Sequence, residues 1–229
     1  MFRLIRPVGA YCLGVESPAR VDSITDGTNP ARQRIANLAL AGWLAADAIR
    51  VFLLARDLKA DLADIVAGVG LLLAAIFVLR RGRPLARDAT PAAVVVALAA
   101  TVLPVFFAWL APEQGTTAFS VAAQGAAVLL MVAGLFYLGR NFSVLPQYRG
   151  TIMDGPYAMV RHPIYSSYLM FDGTLALEAQ SWLAIALWLL ECGLLSLRAR
   201  FEERLLAASD PAYGRYLARV RWRFVPGVA

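Results

Sequence analysis

The chain is poor in the residues that build metal centres and disulfide frameworks. It has one histidine, His162, and two cysteines, Cys12 and Cys192, which lie far apart and form no C-x-x-C pair. Neither a structural metal site nor a disulfide scaffold is expected. Charge is scarce as well: 17% of residues are charged, against about 25% in an average soluble domain. No Gly-x-Gly-x-x-Gly follows a strand-like run, so the usual nucleotide site of soluble Rossmann enzymes is missing. Gly68-Val69-Gly70 lies inside an apolar run and reads as helix packing. The opening MFRLIRPVGAYCLGV is broken by Pro7 and Gly9 and is not expected to be a signal peptide. The closing VPGVA carries no prenylation box.

Apolar residues are abundant. They make up 59% of the chain, and the mean hydropathy is +0.60. This composition argues against a disordered chain, a DNA-binding module or an ordinary soluble enzyme. It predicts a polytopic helical membrane protein. The net charge of +6 is accounted for by arginines beside anionic lipid and calls for no nucleic acid.

A spanning helix needs about 20 mostly apolar residues. Four such runs are read at Ile35 to Ala55, Leu62 to Leu79, Ala92 to Leu110 and Ala118 to Leu138. Asp47 and Arg50 in the first are spaced to neutralise each other on one helix face. Pro104 in the third is expected to kink it. Two shorter runs follow, Tyr165 to Leu177 and Trp182 to Leu197, and are read as a helix–turn–helix hairpin. Arg80, Arg81, Arg83 and Arg87 fall in the second loop, and Arg140, Arg149 and Arg161 in the connector after the fourth run. Arg198, Arg200 and Arg204 follow the hairpin, whereas the loop between the third and fourth runs holds Glu113 and no basic residue. The positive-inside rule places the basic segments and the N-terminus in the cytoplasm. The expected fold is an all-α integral membrane protein, a bundle of about five transmembrane helices. The last is a hairpin, and a cytoplasmic C-terminal helix follows. It forms one membrane domain over residues 1–229: an N-terminal arm over 1–34, N-terminal spans over 35–136 and a functional C-terminal half over 137–229.

The chemistry is expected in GRNFSVLPQYRGTIMDGPYAMVRHPIYSSY, residues 139–168, a polar, aromatic and basic stretch in an otherwise apolar chain. Gly155-Pro156 marks a turn. Pro163 suits the first position of a helix, with His162 at its cap. The start of that helix offers free N–H groups and partial positive charge to an anion, and Arg161 adds a forked donor beside it. The same tripeptide also reads as an interfacial cap with an arginine reaching lipid phosphate. In RARFEERLLAASDPAYGRYLARV, residues 198–220, Arg198 and Glu202 share a helix face at i, i+4. Asp210-Pro211 is expected to start a final helix with Tyr213 and Tyr216 on one face. A surface ion pair and an interfacial aromatic belt are the simpler account of that stretch.

Taken together, Gly155-Pro156-Tyr157, Arg161-His162-Pro163-Ile164-Tyr165, Glu202-Glu203-Arg204-Leu205-Leu206 and the Tyr213–Tyr216 pair resemble the C-terminal signature of the isoprenylcysteine carboxyl methyltransferases. Membrane phospholipid methyltransferases share parts of it. The resemblance covers roughly residues 137–221 and excludes the first three spans. It implies S-adenosyl-L-methionine as methyl donor, leaving as S-adenosyl-L-homocysteine. By matching positions, the donor contacts would be Gln147, Arg149, Gly150, Thr151, Ile152, Tyr157, Arg161, His162, Pro163, Ile164, Tyr165, Glu202 and Glu203, with Asn141 beside them. Of the acidic pair Glu202 and Glu203, Glu202 would hold the donor. Arg198 would face the acceptor, and Arg198 and Glu202 would be the catalytic pair. Arg149 stands where eukaryotic members have a histidine.

The implied reaction is an in-line methyl transfer to a lipophilic acceptor entering sideways from the bilayer. The acceptor would be the carboxylate of an isoprenylcysteine-like, isoprenoid or lipid molecule. An ionised carboxylate needs no base. A lipid amine would, and His162 or Glu203 is then the nearest candidate. The compact form points to a prokaryotic inner membrane with the site on the cytoplasmic side. Two other readings compete. One is an NADPH-dependent membrane reductase of the sterol type, whose phosphates would be met by Arg149, Arg161, Arg198 and Arg219. The other is a membrane scaffold or transporter subunit.

Overall fold

A computed structural model describes residues 30–57, 62–110 and 117–228. Most of the expected N-terminal arm and the loop carrying Glu113 lie outside the described residues. The described chain is mostly helical: α1 (Pro30–Asp57), α2 (Leu62–Arg80), α3 (Pro91–Leu110), α4 (Ala118–Leu138), α5 (Pro163–Glu178), α6 (Trp182–Ser209) and α7 (Tyr213–Arg219). Three helical stretches are long and apolar enough to cross a membrane: Gln33–Leu53, Ala118–Asn141 and Trp182–Ser209. Gly68–Arg80 and Pro91–Pro104 are shorter apolar helices.

The boundaries follow from local chemistry. Thr117 caps α4, its side-chain oxygen accepting from the Ser120 N–H at 3.2 Å. Pro163 opens α5, where its missing N–H leaves no bond unmade. α6 runs well past the apolar run that ends at Leu197. Residues 198–209 are Arg, Phe, Glu, Leu, Ala and Ser, mostly good helix formers, and no glycine or proline interrupts them. The helix therefore carries Arg198, Glu202 and Glu203 on one rigid rod with the apolar segment. α7 begins at Tyr213 rather than at Asp210-Pro211. Asp210 instead accepts from the Ala212 N–H at 2.8 Å, closing a turn before the helix starts.

The helices pack as α1 with α2, α4 with α5 and α2, and α6 with α3 and α5. Alanines 74, 75, 97, 100 and 199 are buried at these seams, where small side chains let backbones approach. Large apolar side chains are exposed on the outer surface, among them Ile35, Leu38, Val95, Leu129 and Trp182. Asp47 and Arg50 form the expected pair at 2.8 Å. Gly68 lets α2 approach the Phe52 ring. Gly134 does the same for α5: an added Cβ would lie 2.8 Å from Ile164 Cγ1. Gly134→Leu should therefore destabilise the fold by about 2 kcal/mol, seen as a lower Tm of the detergent-solubilised protein.

At one end of the bundle a two-residue strand, β1 (Ala86–Arg87), pairs antiparallel with β2 (Gln147–Tyr148) in the register Ala86↔Tyr148. Arg149 Nε donates to the Gly82 carbonyl at 3.2 Å. The second loop and the connector after α4 are thus stitched together, and both sit at the end where α6 emerges. The short strands carry no apolar alternation, so the sequence did not predict them.

Candidate functional site

The two motif stretches meet at this end. Tyr165 Oη donates to the Glu202 carboxylate, and Arg161 Nη1 lies 3.0 Å from Glu203 Oε1. Thr151 Oγ1 donates to Asp210 Oδ2 at 2.6 Å. Tyr216 Oη donates to the Tyr157 carbonyl at 2.7 Å. Tyr213 and Tyr216 are buried with rings 5.3 Å apart; they pack inward on Val220, Met153 and Leu206 and do not form a surface belt. Burial pushes the Tyr216 phenol up to about 12 and raises that of Tyr157, where nearby Glu202 adds to the shift. Both stay neutral donors in the range where proteins work.

The adjacent glutamates do different work. Glu203 is enclosed by three donors: Arg161 at 3.0 Å, His162 Nε2 at 3.1 Å and Arg223 Nη2 at 2.7 Å. Its side chain is 10% exposed. Glu202 has Tyr165 and Arg198 Nε, the latter at 3.3 Å, and His162 Nδ1 at 3.8 Å. It is twice as open, at 21%, and lines a large cavity. A carboxylate has about four acceptor positions, so Glu202 retains capacity for a ligand while Glu203 is taken up by the fold.

Arg198 is buried, 4% exposed. Its Nη2 donates to the Val144 carbonyl at 2.6 Å, its Nη1 to Thr101 Oγ1 at 3.2 Å, and its guanidinium lies 5.0 Å from the Tyr165 ring centre. His162 stacks on Tyr165 with ring centres 5.2 Å apart. The Tyr165 ring therefore orders its neighbours and has little open face for a ligand cation.

The expected anion site at the start of α5 is engaged by the protein itself. The N–H groups of Arg161 and His162 donate to the carbonyls of Trp222 and Arg223 at 2.9 and 3.0 Å. Arg161 Nη2 donates to the Arg221 carbonyl at 2.6 Å, and Ser166 Oγ to that of Phe224 at 2.6 Å. The N–H groups of Ile164 and Tyr165 remain in that first turn. This tail, Arg221-Trp222-Arg223-Phe224, was missed in the sequence reading. Its alternation of basic and aromatic residues was the available signal.

The cavity has a volume of about 530 Å³, within the range of small-molecule sites. Of the residues named from sequence, Gln147, Gly150, Thr151, Ile152, Tyr157, Arg161, His162, Ile164, Tyr165, Arg198 and Glu202 line it, as does Asn141. Arg149, Pro163 and Glu203 do not. Pro163 is fully buried. Arg149 turns to Gly82 and to Gln147 Oε1, the latter at 2.5 Å. Burial and the neighbouring Arg81 bring its guanidinium down to about 10. From Leu138 to Gln124, both on the cavity wall, α4 runs roughly four turns, about 21 Å. Along that length the wall is mostly apolar, with Leu44, Leu71, Ala100, Val128, Met131 and Phe171 among its residues. A polar compartment thus opens into an apolar channel between the helices, and Arg198 stands where the two join.

Compared with protein-family models and with curated protein sequences, the chain matches none.

Proposed function

We propose that the protein is an integral membrane methyltransferase that uses S-adenosyl-L-methionine to methylate a lipophilic acceptor. The acceptor group is the carboxylate of an isoprenylcysteine-like, isoprenoid or lipid molecule. In this reading α1 to α4 cross the membrane and the α5–α6 hairpin completes a five-span bundle, with the polar compartment and α7 on the cytoplasmic side of a prokaryotic inner membrane. One observation carries the reading: a single cavity joins the motif-lined polar compartment to the apolar channel. A water-soluble donor and a bilayer-borne acceptor need such a shared space. The motif resemblance supplies the identity of the donor.

The polar compartment suits that donor chemically. Glu202 has spare acceptor positions for ribose hydroxyls or an ammonium. Tyr157 and the Ile164 and Tyr165 N–H groups lie on the same wall. When bound, S-adenosylmethionine supplies a methyl group made electrophilic by a sulfonium. Tyr165 and Arg198 hold Glu202 in place. Arg198 orients an acceptor carboxylate at the junction through its fork. The helices exclude water, and the largest gain comes from alignment, on the order of several kcal/mol. An ionised carboxylate attacks without a base, so His162 has a positioning role between the two glutamates.

The reductase reading needs free cations for phosphates. Arg149 and Arg219 do not line the cavity, and Arg161 is held by Glu203 and the Arg221 carbonyl, which leaves Arg198 alone of the four for phosphates. Thermal shift and calorimetry in detergent decide between the two. S-adenosylhomocysteine should stabilise the protein and NADPH should not, and Glu202→Gln should weaken S-adenosylhomocysteine at least about tenfold. Stabilisation by NADPH alone would replace this reading with the reductase. Chromatography of membrane lipids labelled from a methyl-tritiated donor would then identify the acceptor.

A further inference from the structure

Deep in the channel stands a group that the proposed reaction does not use. Asp172 lies two turns below Tyr165 on the same face of α5, about 10 Å further along its axis. Both line the cavity. Asp172 is 6% exposed, and its side-chain hydrogen bond is shared with the carboxyl of Glu191 on α6. Glu191 is 0% exposed, and its carboxyl oxygens have no partner among the described residues besides Asp172. No arginine is paired with either residue. Arg198, the nearest cation on α6, is two turns away and committed to Val144, Thr101 and Glu202.

Two buried carboxyls bonded only to each other, with no cation beside them, are costly to the fold. A pair kept only for stability would be expected to carry a basic partner, as Glu203 does. The adjoining channel wall is mostly apolar, with Phe171 and Leu175 beside Asp172 and Val128 and Met131 on α4, and it also carries Gln124, Ser167 and Tyr168. A simple hydrocarbon tail passing here would leave the hydrogen-bonding positions of Asp172 that Glu191 does not fill without a partner. A tail with a hydroxyl at that depth would satisfy it, because a hydroxyl both donates and accepts and so matches a carboxyl in either protonation state.

We propose that Asp172, backed by Glu191, is a specificity-determining station in the acceptor channel that takes a hydroxyl group carried partway along the acceptor's tail. The inference rests on the proposed acceptor site and deepens it. It narrows the acceptor class from any lipophilic carboxylate to one oxygenated in mid-chain.

The test is a binding comparison that needs no methyl transfer. The detergent-purified full chain is titrated with stearate and with a stearate hydroxylated in mid-chain, and Kd is read by calorimetry. The hydroxylated acid should bind about tenfold tighter, the range of one buried hydrogen bond. Asp172→Val should abolish that preference by weakening only the hydroxylated acid, and Asp172→Asn should retain it, because the amide still donates and accepts. Asp172→Val also strands the buried Glu191 carboxyl, so the valine variant should melt lower than wild type, and Asp172→Asn, which keeps a partner for Glu191, serves as the folded control. Equal binding of the two acids by wild type overturns the proposal whether or not the variants fold. A preference that survives in Asp172→Val overturns it as well. Failure of both acids to bind removes the acceptor channel and this station together. Loss of S-adenosylhomocysteine binding with the hydroxyl preference intact removes only the donor reading.

Discussion

Arg198→Ala should lower kcat/KM for the methyl acceptor about 100-fold, the scale of effect when a reacting group loses its alignment. S-adenosylhomocysteine affinity should fall no more than about threefold, one modest hydrogen bond. The two effects differ because Arg198 serves both compartments unequally. Glu202 loses one contact at 3.3 Å but keeps Tyr165. An acceptor carboxylate would lose the cation at the mouth of its channel. The substitution also strands the Val144 carbonyl and Thr101 Oγ1, which bind the guanidinium at 2.6 and 3.2 Å. A fall in stability of about 3 kcal/mol should accompany the kinetic change, and rates are best taken well below the variant's Tm. Arg198→Lys should not rescue activity, because an ammonium cannot reproduce the planar fork that reaches three elements at once. Equal losses in donor affinity and kcat/KM would move Arg198 to the donor's side of the site.

Glu203→Gln should cost about 3 kcal/mol of stability, the largest purely structural effect expected from a single atom exchange in this chain. Glu203 neutralises Arg161 and Arg223 and holds His162 within one cluster. Without its charge the two guanidiniums face each other across a partly buried space. The tail from Arg221 to Phe224 should loosen from α5, since Arg223 is its ionic anchor. Thermal unfolding in detergent gives the stability change, and amide exchange at Arg161 and His162 reports on their bonds to Trp222 and Arg223. Adding Arg223→Leu to Glu203→Gln should recover part of the loss, because the two sites are in contact and their effects are not additive. Wild-type stability in Glu203→Gln would mean that the cluster contributes nothing to holding the tail.

The two glutamates show how much of the site was readable in the chain. EE at 202–203 follows an apolar run, and helical spacing pairs Glu202 with Arg198; that pair is present at 3.3 Å. Adjacent residues on a helix point about 100° apart, so the two acids had to face different surroundings. Which of them faces the cavity depended on the tail reaching Glu203 first. Arg223 is twenty residues further on, in a segment with no regular periodicity, and nothing local marks it as a partner. Asp172 was visible as an acid in an apolar run, but its place on the channel wall follows from the position of α4 and α6 around α5. Arg149 was drawn into the site by its position in the motif. Its contacts with Gly82 and Gln147 come from the β1–β2 pairing, which two-residue strands do not announce.

The apolar runs by themselves determined the helices: α4 spans Ala118–Leu138 as read, and α2, α3 and the start of α6 agree to within about two residues, the usual spread of helix ends. Continuous hydrophobicity and the prolines and polar breaks between runs are local properties, and each segment carries them alone. The tertiary structure alone decided which polar groups are consumed by the fold and which are left to a ligand. The choice between Glu202 and Glu203, the covering of the α5 start by the tail, and the depth of Asp172 in the channel all depend on contacts between segments tens of residues apart. Hydrogen-bond capacity is filled by whichever partner packing brings within about 3 Å, and no single stretch of the chain records who that partner is.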